Sequence, residues 1–156
     1  AKTAVNNLAK EQMRNVSMSV FEEFCQAIKD GRLSYFTDIL DINTATILHA
    51  NEIEAAQRLV KSWIAQAKQP YLIVPKEHLR TVFHVQTEQN PRLSQREFSK
   101  RMSRNGIETE RKRPVGSGRN TNPVTGIIIT WKTNEVEIKR LTDSYFSERD
   151  QKLLSV

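Results

Sequence analysis

Apolar residues recur at three- and four-residue spacing from Ser19 onward. Val20, Phe21, Phe24, Cys25 and Ile28 form one stripe, with Ser17 or Ser19 available as an N-cap. Gly31 stands where such a helix would stop. A shorter helical piece from Leu33 to about Leu40 places Leu33, Phe36, Ile39 and Leu40 on one side. The next helix spans 51–69: Asn51 as cap, Glu52 and Glu54 in the first turn, and a stripe of Ile53, Ala56, Val60, Trp63, Ile64 and Ala67 before Pro70. Tyr71 to Val74 is a short β-favouring run closed by Pro75. A further helix follows over 76–88, with Leu79, Val82, Phe83 and Gln86 on one face.

The signals converge after the turn at Gln89 to Arg92. Ser94-Gln95-Arg96-Glu97 fits a capping box, and Leu93 and Phe98 are the two ends of a hydrophobic staple. Asn105-Gly106 supplies the stop, so a helix is predicted from Gln95 to Asn105. Phe98 and Met102 project together toward a core, while Arg96, Lys100, Ser103 and Arg104 occupy the opposite arc with Ser99 at its edge. Residues 107–113 and 126–131 then read as two strands of a hairpin whose tip, 114–123, is rich in turn formers. The order helix, short strand, helix, turn, capped basic helix, basic hairpin predicts an α+β, mainly helical chain. Its expected form is a winged helix-turn-helix at 51–133, with an N-terminal arm and helical extension at 1–50 and a C-terminal helical tail at 134–156.

Charge sharpens this picture. The net charge is +6, and the segment from Arg92 to Arg119 holds nine basic and three acidic residues, so the surplus of that segment equals the whole excess. The remainder is neutral, with 15 basic and 15 acidic residues. A surplus confined to one segment creates a local field, and its natural partner is a polyanion such as nucleic acid. The candidate contacts are Arg92, Ser94, Arg96, Ser99, Lys100, Arg101, Ser103 and Arg104 on and before the helix, and Arg111, Lys112, Arg113 and Arg119 along the wing. Arg96 and Lys100 are the best placed for base or groove contact; Arg101 and Arg104 suit phosphate, and the wing cations suit backbone or a minor groove. Few aromatics lie in the basic segment, which favours a duplex over a stacking platform for single strands.

Composition bounds the alternatives. With 38% hydrophobic residues the chain can bury a core, and no run approaches the length of a membrane span. One Cys excludes an internal disulfide and fits a reducing cytosol; on its apolar stripe, Cys25 reads as a core residue. His78 and His84 fall on different sides of their helix, and no metal or other cofactor is expected. Gly116-Ser117-Gly118 lacks the Gly-Lys-Ser/Thr and following helix of a phosphate-cradling loop. No nucleophile–base pair or carboxylate dyad is apparent, so no enzymatic activity is expected of the isolated chain.

Leu79-x-x-x-Phe83, the run from Pro91-Arg92-Leu93-Ser94-Gln95-Arg96-Glu97-Phe98-Ser99-Lys100-Arg101-Met102 to Gly106-Ile107, and Gly126-Ile127-Ile128-Ile129 together resemble the C-terminal winged-helix region of phage and plasmid primase-helicases. Those are multidomain replication proteins with a superfamily III helicase core. The stretch from Ala9-Lys10-Glu11-Gln12-Met13 to Phe24 is similar to the segment leaving that core. The resemblance implies a DNA-binding module, severed from or standing apart from a larger protein, in the cytoplasm of a bacterial host. DNA is expected before RNA, with other replication proteins or an upstream helicase or primase domain as further partners and no membrane. No Walker motif is visible, so no ATPase activity is implied. The alternative expectation is a protein-interaction or oligomerisation domain of such a complex, with residues 16–40 supplying its apolar surface.

Overall fold

The computed structural model describes residues 20–45, 50–87 and 92–146. The expected arm at 1–15, the Ser17 and Ser19 caps, His49, all of the turn at 89–92 but Arg92, and the tail beyond Phe146 lie outside the described residues. The chain is α+β and mainly helical. Helix α1 covers 20–30 and a 3-10 segment covers Leu33–Asp41. Then come α2 (Asn51–Ala65), β1 (Leu72–Val74), α3 (Lys76–Thr87), α4 (Gln95–Arg104), β2 (Glu110–Lys112), β3 (Val124–Ile129) and α5 (Glu135–Tyr145). The strands form one antiparallel three-stranded sheet in the order β1-β3-β2.

Several helix ends have a local cause. Gly31 adopts φ +66 beyond α1; its N–H bonds the Ile28 carbonyl at 3.2 Å, and the Arg32 N–H bonds that of Ala27 at 2.9 Å. This is a Schellman closure, which satisfies carbonyls the helix leaves open. The same closure ends α4: Gly106, at φ +78, donates to Ser103, and Ile107 donates to Met102 at 2.9 Å. Asn134 caps α5, its Oδ1 accepting from the Glu137 N–H at 2.8 Å. The start of α2 departs from expectation. Ala50, not Asn51, is the N-cap and offers no side-chain bond, so Asn51 is simply the first exposed residue of the helix.

The strands also differ in extent from the sequence reading. Ile107 is engaged in closing α4 and is buried, so β2 begins only at Glu110. On β3 the pairing runs Leu72↔Ile129, Ile73↔Ile128 and Val74↔Ile127 on one side, and Glu110↔Gly126, Arg111↔Thr125 and Lys112↔Val124 on the other. Beyond Ile129 the neighbour becomes Gly31, whose carbonyl accepts from the Lys132 N–H at 2.9 Å.

One cluster of buried side chains runs from Phe21 to Leu141. Residues 20–45 and α5 contribute to it, so packing draws no line at 50 or 133. Aromatic rings meet edge to face through its centre: Phe24 lies 5.5 Å from Phe36 and 5.1 Å from Phe83, and Phe36 lies 5.6 Å from Trp131. Trp63 is buried among them, as its stripe requires. The apolar residues of α1 and the 3-10 segment, Phe21, Phe24, Ile28, Leu33, Phe36 and Ile39, are all buried. Among the described residues of 16–40, most of the expected apolar surface is therefore internal, with Val20 and Leu40 half-buried.

Candidate nucleic-acid interface

α4 is set by its two apolar residues. Phe98 stands 5.7 Å from the Phe21 ring and 5.8 Å from that of Phe83, and the Cys25 thiol donates to Met102 Sδ at 3.6 Å. Both Phe98 and Met102 are buried, so everything opposite them faces solvent. Ser94 caps the helix, its hydroxyl accepting from the Glu97 N–H at 3.1 Å. The reciprocal half of the expected capping box is replaced: the Glu97 carboxylate accepts from Arg101 Nε at 3.3 Å.

The structure divides the twelve sequence candidates. Arg96, Lys100, Ser103 and Arg104 are exposed together, and with Gln95 and Ser99 they line an open concavity of about 840 Å³ along α4. Among the described residues, none of these three cations is paired with a carboxylate. Arg92 instead pairs with Glu52 of α2. Arg101 is held by Glu97 and lies 5.9 Å from the centre of the Phe21 ring. Ser94 is engaged as a cap. Ser99, half-buried, accepts a hydrogen bond from Lys76 at the start of α3.

Strand alternation sorts the hairpin cations in the same way. Arg111 pairs with Thr125 and so shares the face of Ile127 and Ile129, which pack toward the helices. Lys112 lies on the reverse face, its Nζ 3.9 Å from the centre of the Tyr71 ring. The Tyr71 hydroxyl donates to the Arg113 carbonyl, and Arg113 Nε donates to the Thr121 carbonyl at 3.0 Å. Arg113 thus ties the hairpin tip together, while Arg119 is exposed at the tip. Gly126 lets β1 close on the hairpin: a Cβ there would lie 2.8 Å from Ile73 Cγ2 and 2.9 Å from the Val74 carbonyl oxygen.

Two groups escaped the sequence reading. Lys76 belongs to a different helix from the basic segment, and Gln95 has no charge to draw notice; its Nε2 approaches Glu77 Oε1 at 3.5 Å. Elsewhere, His84 is buried, and burial drives its pKa below the usual 6.5 against the opposing effect of the Leu93 backbone. Burial pushes the Cys25 thiol up to about 12, which suits packing and not nucleophilic chemistry. Among the described residues no three His, Cys, Asp or Glu side chains converge on a metal-sized site, and no helix is long and apolar enough to cross a membrane. Compared with protein-family models, curated proteins and solved structures, the chain finds no match.

Proposed function

We propose that the chain is a DNA-binding module of winged-helix form that serves a phage or plasmid replication protein of the primase-helicase kind. The observation that carries this reading is the exposed arc of α4, where Arg96, Lys100 and Arg104 stand with Ser103 and, among the described residues, without a carboxylate partner. The succession α2, β1, α3, α4, β2, β3, with β1 laid against β3, supports the winged-helix part. The sequence resemblance described above is the support for the replication context. In this reading α4 enters the major groove of a duplex, Arg111 and Arg119 hold backbone beside it, and the chain binds without catalysing.

The test is fluorescence anisotropy with a labelled duplex across a salt titration. Among the described residues, five cations, Arg96, Lys100, Arg104, Arg111 and Arg119, take part in no ion pair or ring contact. If each meets a phosphate, log K falls against log salt with a slope of about −4.5. Absence of salt-sensitive binding at low ionic strength would sink the reading. A salt-insensitive oligomer without DNA affinity would favour a protein-interaction domain instead.

A further inference from the structure

We propose that Lys76, which lies outside the basic segment, holds a backbone phosphate at the flank of α4, with Ser99 positioning its ammonium; this rests on the DNA-binding reading. The location of Lys76 is unusual for a residue kept for stability. It opens α3, at the positive end of the helix dipole, where a cation is disfavoured. The neighbouring carboxylate does not compensate, since Glu77 is turned toward Gln95 and, among the described residues, Lys76 has no ion pair.

What holds it is a hydroxyl on the other helix. Lys76 Nζ donates to Ser99 Oγ, and both side chains are half-buried. An ammonium carries three donors, so one bond to Ser99 leaves two to offer. Ser99 lies three residues after Arg96 and four before Ser103, on the same flank of α4, and directly precedes Lys100. Lys76 therefore extends the cationic arc across the junction of α3 and α4. An anion seated there would touch both helices of the pair and meet positive charge from each. A phosphate of the duplex backbone has that chemistry. A backbone phosphate carries no sequence information, so the contribution of Lys76 is indifferent to sequence.

The experiment compares wild type, Lys76→Gln and Lys100→Gln by anisotropy with a labelled mixed-sequence duplex over a salt series, with a thermal melt of each. The expected result for Lys76→Gln is affinity lowered several-fold at moderate salt, equally for unrelated sequences. The salt slope should be reduced by about one, with little change in melting temperature. A slope equal to wild type, alongside a reduced slope for Lys100→Gln, overturns this inference and leaves the DNA-binding reading standing. Wild type without salt-sensitive binding overturns both. Should Lys76→Gln fail to fold, acetylation footprinting of the wild-type chain decides. Protection of Lys76 by the duplex supports the assignment, and reactivity unchanged by the duplex overturns it.

Discussion

Gly31 lies so close to Thr130 that a Cβ on the glycine would stand 2.0 Å from the Thr130 carbonyl oxygen. The contact ties the end of α1 to the chain leaving β3, and the Gly31 carbonyl reinforces it by accepting from the Lys132 N–H. Gly31→Ala meets two penalties at once: a left-handed φ of +66 and a backbone clash that no rotamer relieves. The expected loss is about 3 kcal/mol or more, seen as a melting temperature lowered by roughly 6–12 °C. Gly116→Ala is the internal control. It shares the positive φ, at +77, but has nothing within 4 Å, so it should cost only about 1 kcal/mol.

Cys25 tests whether α1 belongs to the core beneath α4. Its thiol is fully buried, donates to Met102 Sδ at 3.6 Å, and has its pKa pushed up to about 12 by burial. A thiol-specific reagent at mildly alkaline pH should therefore leave native protein unlabelled and react fully once denaturant is added. Rapid labelling without denaturant would mean that α1 opens readily and does not seat α4.

α4 was legible in the sequence because its signals are local. Ser94, Glu97, the Phe98–Met102 pair and Gly106 each act on residues within a turn or so of themselves, and each does what its spacing implies apart from the Glu97 carboxylate. The partners of its cations were not legible. Glu52 reaches Arg92 only after α2 has folded against the α3–α4 unit, and Lys76 reaches Ser99 across a helix junction. Competition hid the rest: Glu97 had two local partners, and Arg101 took it from the capping box. The strand limits moved for a similar reason. A Schellman closure claims Ile107 before the ladder can, and the edge beyond Ile129 is taken by Gly31.

His84 makes stability depend on pH. Burial depresses its pKa from 6.5, the Leu93 backbone carbonyl opposes that shift, and the Arg80 guanidinium adds to it. Because the folded-state value lies below the unfolded one, the unfolded chain binds more protons in the window beneath pH 6.5. Stability attributable to His84 is thus fully present above pH 6.5 and declines as the pH falls toward the folded-state value. Melting temperature measured from neutral to mildly acid pH should drop for wild type, and the drop should be smaller for His84→Leu. Equal pH profiles for the two proteins would show that His84 is not the titrating group.

The division of cations on and around α4 predicts two kinds of variant. Arg96→Ala, Lys100→Ala and Arg104→Ala remove exposed charges with no internal role, so melting should hardly change while duplex affinity falls. A phosphate contact should lower the salt slope by about one. A base contact should instead cost about 1–3 kcal/mol on the preferred sequence and relax preference at that position. Arg92→Ala and Arg101→Ala should behave oppositely. Arg92 is committed to Glu52, and Arg101 to Glu97 and the Phe21 ring. The Arg92 side chain is more than half exposed and that of Arg101 about a third, so the stability each provides is about 0–1 kcal/mol, and their effect on the salt slope should be small. Lys100→Glu and Arg101→Glu sharpen the contrast, since reversal at Lys100 repels the duplex directly while reversal at Arg101 sets two carboxylates a turn apart and lowers melting first. If all five positions shifted the slope alike, the ion pairs would be opening on binding, and the interface would extend beyond the exposed arc of α4 to the boundary with α2.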